Sequence, residues 1–236
     1  VKSEYKAEVV AEIEAPKPVA TPDFVDYSLS EPNVLLRDIG ELSLDGEAFM
    51  EKEELLIADN ILREKLDIPS RREAIAQPWV IPPEVPDHKV TIRFRVLSEI
   101  AVSGAYLALE DADVAKITLN GEKVKAEPNG WYVDKSIGKI ALPELKKGEN
   151  IIDIELPFGI STNIEWCYLL GDFGVRVVGK NCCIYKKPEK LAFGDVAHQG
   201  YPFYGGNITY HLPVSLEKGK YNVHIPHYVG GLVKVE

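Results

Sequence analysis

This chain of 236 residues is poor in basic charge and in long apolar runs, and each shortage excludes a class of partner. Its 27 lysine and arginine residues are outnumbered by 37 aspartate and glutamate residues, which gives a formal charge of −10. No basic block is longer than Lys186 and Lys187, so the electrostatic attraction behind nonspecific nucleic-acid binding is missing. No apolar run approaches the roughly 20 residues that span a bilayer. We therefore expect neither a nucleic-acid nor a membrane partner.

Cysteine is scarce as well, and the sequence has no common catalytic motif. The three cysteines are Cys167, Cys182 and Cys183, and an odd count that includes two adjacent residues does not form a disulfide framework. We interpret Cys167, which lies between two aromatic residues, as a small buried hydrophobic residue. The sequence has no CxxC or HxxxH spacing and no GxSxG, GxGxxG, P-loop or HExxH motif. We therefore expect no catalytic residue and no organic cofactor.

Short strands separated by polar turns are typical of residues 88–180. The pair Asn120 and Gly121 favours the positive φ angles of a hairpin turn, and residues 146–150 (KKGEN) form a second polar turn before another alternating stretch. The predicted strands are residues 90–97, 105–109, 115–119, 130–133, 139–142, 150–156, 168–171 and 174–178. This regular spacing predicts a single antiparallel β-sandwich domain over 88–180.

The segments on either side of this domain have a different composition. Prolines among acidic and small residues predict an extended linker over 1–32. Residues 33–87 are predicted to form a clip, with a strand at 33–36, one helix at 51–66 and a proline-rich approach in which Trp79 anchors the segment to the sandwich. Three further strands, predicted at 206–212, 219–225 and 231–236, are too few for an independent sandwich. Residues 181–236 are therefore interpreted as the start of a second, truncated β-sandwich, with completion of the first domain as the alternative.

Several strings resemble parts of known carbohydrate-active proteins. The turns in residues 119–124 (LNGEKV) and 147–152 (KGENII) resemble those of the sugar-binding-like sandwich of glycoside hydrolase family 2. Four more strings resemble the accessory region of large α-L-rhamnosidase-type glycosidases; they are residues 33–38 (NVLLRD), 76–79 (AQPW), 168–175 (YLLGDFGV) and 200–206 (GYPFYGG). The resemblance covers most of residues 33–236.

This resemblance implies an all-β fold, a galactose-binding-like antiparallel jelly-roll sandwich with one N-terminal helix and a partial second β unit. It also implies a noncatalytic accessory role beside a catalytic barrel that is outside this sequence. The expected partner is a glycan or the neighbouring catalytic domain of the same polypeptide. A purely structural module without sugar affinity is the alternative. The charged start of the chain lacks a secretion signal, but a fragment would also lack one, so the cellular location stays open.

Two aromatic segments have the composition of a sugar platform. Aromatic rings stack on the apolar face of a pyranose while nearby polar groups contact its hydroxyls. The candidate carbohydrate-binding residues are Trp131, Tyr132, Tyr201, Phe203, Tyr204 and Asn207. Packing in the core or between domains is the alternative for each of these rings, because a large aromatic side chain gains most from burial.

Three carboxylates lie together in one loop between predicted strands. Glu110, Asp111 and Asp113 are candidates for a structural calcium site, since calcium prefers several oxygen ligands. A self-contained hydrolase that uses these carboxylates as an acid/base pair is an alternative function. The simplest interpretation is a solvated turn that caps the backbone.

Overall fold

The computed structural model describes residues 17–75 and 85–236, which form an all-β sandwich with antiparallel sheets, as the sequence predicts. In chain order the elements are β1 (Phe24–Leu29), β2 (Asn33–Arg37), β3 (Ile39–Leu44), β4 (Glu53–Glu54), α1 (Leu55–Lys65), α2 (Arg71–Ile75), β5 (His88–Ser98), β6 (Tyr106–Leu109), β7 (Lys116–Leu119), β8 (Glu122–Val124), β9 (Pro128–Tyr132), β10 (Asp134–Ala141), β11 (Gly148–Phe158), β12 (Cys167–Gly171), β13 (Gly174–Val178), β14 (Asn181–Tyr185), β15 (Leu191–Ala192) and β16 (Ile208–His211), with a short 3-10 helix at Val196–Gln199.

The two longest strands, β5 and β11, form the centre of the larger sheet. They pair antiparallel along their whole length, from Ser98 opposite Gly148 to His88 opposite Phe158. Every second residue of β5 is buried, as the alternation of its sequence predicts. The larger sheet has the strand order β13-β14-β5-β11-β7-β8, and the smaller one has the order β2-β12-β6-β10-β9.

One edge of β5 is shared by two strands. β3 pairs antiparallel with its first half, from Val90 to Arg93, and β14 pairs parallel with its last residues, Leu97 and Ser98. The described sheets are otherwise antiparallel. A short stretch of β5 between these two partners therefore borders a gap in the sheet.

One apolar core lies between the two large sheets. The larger sheet contributes Ile92, Phe94 and Ile154, and the smaller sheet contributes Leu107 and Leu169, all at most 1% exposed. Since strand residues alternate between faces, the remaining residues of these strands face outward.

The predicted helix is confirmed as α1, and it begins later than expected. The side chain of Glu54 caps it by accepting hydrogen bonds from the backbone N–H groups of Leu56 and Ile57. Its buried residues Leu55, Ala58 and Leu62 lie on the face that the sequence predicts. The structure adds the short helix α2, which the sequence analysis did not predict. No helix of the described chain combines the length and apolar character that a membrane crossing needs.

The expected boundaries of the flanking segments differ from the observed ones. The predicted linker 1–32 contains β1, which pairs with β15 and β16 in a separate three-stranded sheet. Buried Val25 and half-buried Tyr27 alternate with exposed residues in this strand, so the segment has a face to bury despite its prolines. Residues 1–16 lie outside the described part of the chain, as do Trp79 and most of the proline-rich approach.

The C-terminal strands also differ from the prediction. β14, at the start of the predicted second unit, belongs to the larger sheet of the first sandwich. β16 pairs with β1, whereas residues 219–225 and 231–236 form no strand. Their alternating sequences resemble strands, but a strand also needs a partner for its backbone groups, and the described structure pairs them with none.

Candidate functional site

The outer face of the five-stranded sheet is unusually rich in tyrosine. In the pairing register Tyr168 of β12 lies opposite Ala108 of β6, and Ala108 lies opposite Lys139 of β10. Tyr106 lies opposite Leu170 in the neighbouring row. These side chains point away from the main core, since the residues that alternate with them are buried inside the sandwich.

We call Tyr106, Tyr132 and Tyr168 the tyrosine face. The rings of Tyr132 and Tyr168 are 5.2 Å apart between centroids and are tilted by 53°. The Lys139 ammonium lies 5.4 Å from the centroid of the Tyr106 ring, within the range of a cation–π contact. All three rings are half-buried and pack on a small apolar cluster that includes Val34. The face thus combines fixed aromatic rings with a cation.

The hydroxyls of Tyr132 and Tyr168 remain protonated at neutral pH. Burial raises the pKa of Tyr132, and the nearby Glu31 raises it further. Burial also raises the pKa of Tyr168, with a smaller contribution from Glu165. A protonated phenol both donates and accepts hydrogen bonds. The tyrosine face can therefore offer sugar hydroxyls both kinds of partner beside apolar ring surface.

Trp131, a predicted carbohydrate-binding residue, lies next to the tyrosine face, but its side chain projects to the opposite side of its strand. It is 51% exposed and lies in the edge strand β9 opposite Gly138. Successive strand residues point to opposite faces, so Trp131 and Tyr132 project to opposite sides of the edge strand. Gly130, just before Trp131, has φ +83°, and a side chain there would also approach Lys139.

The hairpin that follows Trp131 is irregular. Its register shifts twice between Asp134 and Ile140, as happens at the β-bulges often found at sheet edges and binding sites. Val133, which is 72% exposed, has φ +60°, an unfavourable backbone conformation for a β-branched residue. The tip of this hairpin therefore stores local strain beside the exposed indole.

Tyr201, another predicted platform residue, belongs to the interior. It is 2% exposed, and its hydroxyl is hydrogen-bonded to that of Tyr27, which donates to the carbonyl of Pro188 at 2.7 Å. The two rings meet edge to face with centroids 5.8 Å apart. This ring fastens the three-stranded sheet to the body of the protein and has no free surface for stacking.

The remaining residues of that segment also hold the chain in place. The Tyr204 hydroxyl donates to the carbonyl of Asn207 at 3.1 Å and accepts from the backbone N–H of Glu31 at 3.3 Å. The backbone N–H of Asn207 donates to the Ser30 hydroxyl at 2.8 Å. Phe203 packs against both apolar clusters. Tyr201, Phe203 and Tyr204 are thus at least partly buried and support the fold, whereas Trp131 is exposed. Asn207 is exposed and contributes backbone hydrogen bonds.

The three loop carboxylates lie in one tight turn. The carbonyl of Asp111 accepts from the backbone N–H groups of Val114 and Ala115, each at 3.1 Å, and Asp111 and Asp113 are exposed. Within residues 17–75 and 85–236, no group of three or more His, Cys, Asp or Glu side chains could hold a metal ion. The observed arrangement is that of a turn whose acidic side chains are largely solvated.

Glu110 shares a small cavity with Glu165 and accepts a hydrogen bond of 3.4 Å from Asn163 Nδ2. Burial raises the pKa of Glu110, and the charges of Glu165 and Asp111 raise it further, as in paired acid/base carboxylates. Glu165, however, is ion-paired with Arg71. The two glutamates line a cavity of about 10 Å³, which is enough for at most one water molecule. A pyranose ring does not fit between them.

Sequence reasoning missed Tyr106, Tyr168 and Lys139. Each was interpreted only as part of a strand. The usable signal was the alternation in Tyr106–Leu109 and Cys167–Gly171, which places tyrosines on the face opposite the core leucines. Neither segment alone shows that β6 and β12 are neighbours in the sheet.

Comparison with known proteins adds no relative. No protein-family model, no curated protein and no solved structure matches this chain.

Proposed function

We propose that this chain is a noncatalytic accessory β-sandwich of a multidomain glycoside hydrolase, and that the tyrosine face binds glycan. The galactose-binding-like jelly-roll topology and the link to α-L-rhamnosidase-type enzymes are part of this proposal. They rest on the sequence strings that resemble those families. The single observation that carries the binding role is the row of half-buried tyrosine rings on the outer face of the five-stranded sheet.

The geometry favours binding of a flat, polar ligand. Rings that are already packed lose little conformational freedom when a ligand arrives. Tyr132 and Tyr168 support each other at 5.2 Å, and Lys139 supplies a donor beside Tyr106. A pyranose offers an apolar face for the rings and hydroxyls for the polar groups, which is the combination that such sites recognise.

The self-contained hydrolase is less well supported. Hydrolysis of a glycosidic bond needs two carboxylates on either side of a bound sugar. Glu110 and Glu165 enclose only about 10 Å³, and Asp111 and Asp113 are exposed in a turn. We therefore assign the loop carboxylates no catalytic role.

A titration of the purified chain with rhamnose- and galactose-containing oligosaccharides tests the proposal. We expect Tyr132→Ala to weaken the tightest of these complexes by about 1–3 kcal/mol, the range for losing a stacked ring. Tyr221→Ala is the matched control, since Tyr221 is 46% exposed and lies in the C-terminal segment after β16. Its affinity should equal that of the unmodified chain.

Trp131→Ala separates this proposal from a second binding site. Loss of affinity in Trp131→Ala, with Tyr132→Ala unchanged, would move the site to the opposite side of β9, where Trp131 projects. Absence of binding to every oligosaccharide would leave the purely structural module as the function.

A further inference from the structure

A second candidate site lies beside β5. Both β3 and β14 pair with the same edge of this strand, and the site lies where the two diverge. β3 leaves β5 after Arg93 and turns to pair with β4, while β14 joins β5 only at Leu97. Gly40 lies close against β5 at this point, because a side chain there would lie 3.0 Å from the Phe94 ring and 3.2 Å from the carbonyl oxygen of Arg93. The gap between the two strands opens into a cavity of about 300 Å³.

The wall of this cavity is rich in basic side chains. Four basic and two acidic residues line it, namely Arg37, Lys52, Arg93, Arg95, Glu41 and Glu149. A protein whose formal charge is −10 thus concentrates cations at one place on its surface. A water molecule takes up roughly 30 Å³ in the liquid, so the cavity has room for a polyatomic ion and several waters.

Two of the four cations are already neutralised. Arg93 forms two hydrogen bonds of 2.8 Å to the carboxylate of Asp153. Arg95 pairs with Glu41 at 2.8 Å and with Glu149 at 3.2 Å. These two arginines are held in fixed positions and add little free positive charge.

Arg37 has no such carboxylate. It is 5% exposed, its Nη2 donates to the carbonyl of Ile39 at 3.2 Å, and its Nε has no hydrogen-bond partner among the described residues. The guanidinium lies 5.2 Å from the centroid of the Phe94 ring. Burial lowers the pKa of Arg37, and the neighbouring Cys182 and Asp38 only partly offset this effect. A buried cation of this kind is stabilised by an anion.

Lys52 is the second unpaired cation. Its ammonium donates to the carbonyl of Lys180 at 2.9 Å and to the side-chain oxygen of Asn181 at 3.4 Å. Within the described ranges no carboxylate lies within ion-pair distance of it. Arg37 and Lys52 therefore leave two positive charges free at one cavity.

We propose that this cavity binds a small dianionic oxyanion, of which inorganic phosphate is the simplest example. Arg37 and Lys52 match the charge of the dianion, and the paired Arg93 and Arg95 form a rigid wall beside it. Charge-assisted hydrogen bonds to phosphate oxygens are the strong interactions that such an arrangement provides. Arg37 is the last residue of β2 in the five-stranded sheet, but the cavity is otherwise lined by residues such as Arg93, Arg95 and Glu149 of the larger sheet. None of the tyrosine-face residues lines it.

Titration calorimetry of the full chain with inorganic phosphate at low ionic strength tests this site, since salt screens such interactions. We expect Lys52→Gln to weaken phosphate binding by about tenfold, the loss typical of a charged hydrogen-bond partner. Lys52 is exposed enough for the variant to fold. Lys123→Gln, an exposed strand lysine of β8, is the matched control and should bind phosphate as the unmodified chain does. Arg37→Gln should abolish binding, with its melting curve as the check on folding.

Labelling of Cys182 provides a second measurement that needs no variant. This half-buried thiol lines the cavity, whereas its neighbour Cys183 does not. Phosphate should slow the alkylation of Cys182 by iodoacetamide and leave Cys183 unchanged. Equal phosphate affinity in Lys52→Gln and the unmodified chain would overturn the site, as would absence of binding. Acetate that binds as tightly as phosphate would overturn the preference for a dianion.

Discussion

Arg63 and Asp59 form an ion pair in α1, with 3.0 Å between Nε and Oδ2 and with both side chains fully buried. Arg63 also donates from Nη1 to the carbonyls of Pro69 and Ile160, at 3.3 and 3.0 Å, and from Nη2 to the carbonyl of Thr162. One guanidinium thus ties the helix to the loop between β11 and β12. Burial of a charge is tolerated here because its hydrogen-bond donors have partners.

Breaking this ion pair should destabilise the protein strongly. We expect Arg63→Ala to lower the free energy of unfolding by about 3–5 kcal/mol, because it leaves the Asp59 carboxylate buried and unpaired. Urea denaturation measures the loss. Lys65→Ala is the control, since its pair with Glu47 is half exposed and is worth at most about 1 kcal/mol. Similar losses of unfolding free energy in the two variants would contradict the conclusion that Arg63 ties α1 to the loop between β11 and β12.

Gly138 should not tolerate a side chain. A Cβ atom there would lie 2.9 Å from the Cβ of buried Ala112 and 3.4 Å from that of Pro128. Gly138→Ala should therefore cost about 1–3 kcal/mol through overpacking, as measured by urea denaturation. Gly205→Ala has open space around it and should change stability by less than about 0.5 kcal/mol. An equally stable Gly138→Ala would mean that the bulged register relaxes without cost.

Substitution of Val133 by asparagine should stabilise the protein. Its φ of +60° is unfavourable for a β-branched residue, and its side chain is 72% exposed. Asparagine adopts this conformation more readily, so Val133→Asn should raise the free energy of unfolding by about 1 kcal/mol. The control is Val114→Asn, a half-exposed valine outside the group of positive-φ residues. If both variants change stability equally, the backbone of Val133 is not strained.

The three cysteines should differ in reactivity. Burial raises the pKa of the Cys167 thiol to about 12. Burial also raises the pKa values of Cys182 and Cys183, but these two thiols are only half-buried. Since the thiolate is the reactive form, iodoacetamide should alkylate Cys182 and Cys183 in the folded protein and Cys167 only after unfolding. Mass spectrometry of labelled peptides, with and without denaturant, measures this order. Rapid labelling of Cys167 under native conditions would show that the core opens easily.

The central strands were predictable because their information is local. The residues of β5 and β11 alternate between buried and half-exposed or exposed positions, and this alternation can be read from the sequence alone. β1 was missed because the prolines and acidic residues around it suggest a linker, although Val25 is buried when β15 pairs with it. The opposite error occurred at residues 219–225, where alternation predicted a strand that has no partner.

The candidate site could be predicted only in part. Tyr132 was recognised as an aromatic candidate, but its neighbour Tyr168 lies in a different strand and meets it only through the order of the sheet. Tyr201 has the composition of a surface platform, yet its hydroxyl bonds to Tyr27 of the distant β1 and its ring is buried. Local composition does not distinguish these two outcomes.

The sequence by itself determined the all-β class, the main strands and the amphipathic face of α1, because alternation and turn residues act over a few neighbouring positions. The tertiary structure decided which strands are neighbours, and therefore where the tyrosine face lies and which cavity Arg37 and Lys52 line together. Strand pairing depends on contacts between distant segments, and its energy comes from packing against those partners. The burial of Arg63 was likewise decided by the loop that accepts its hydrogen bonds.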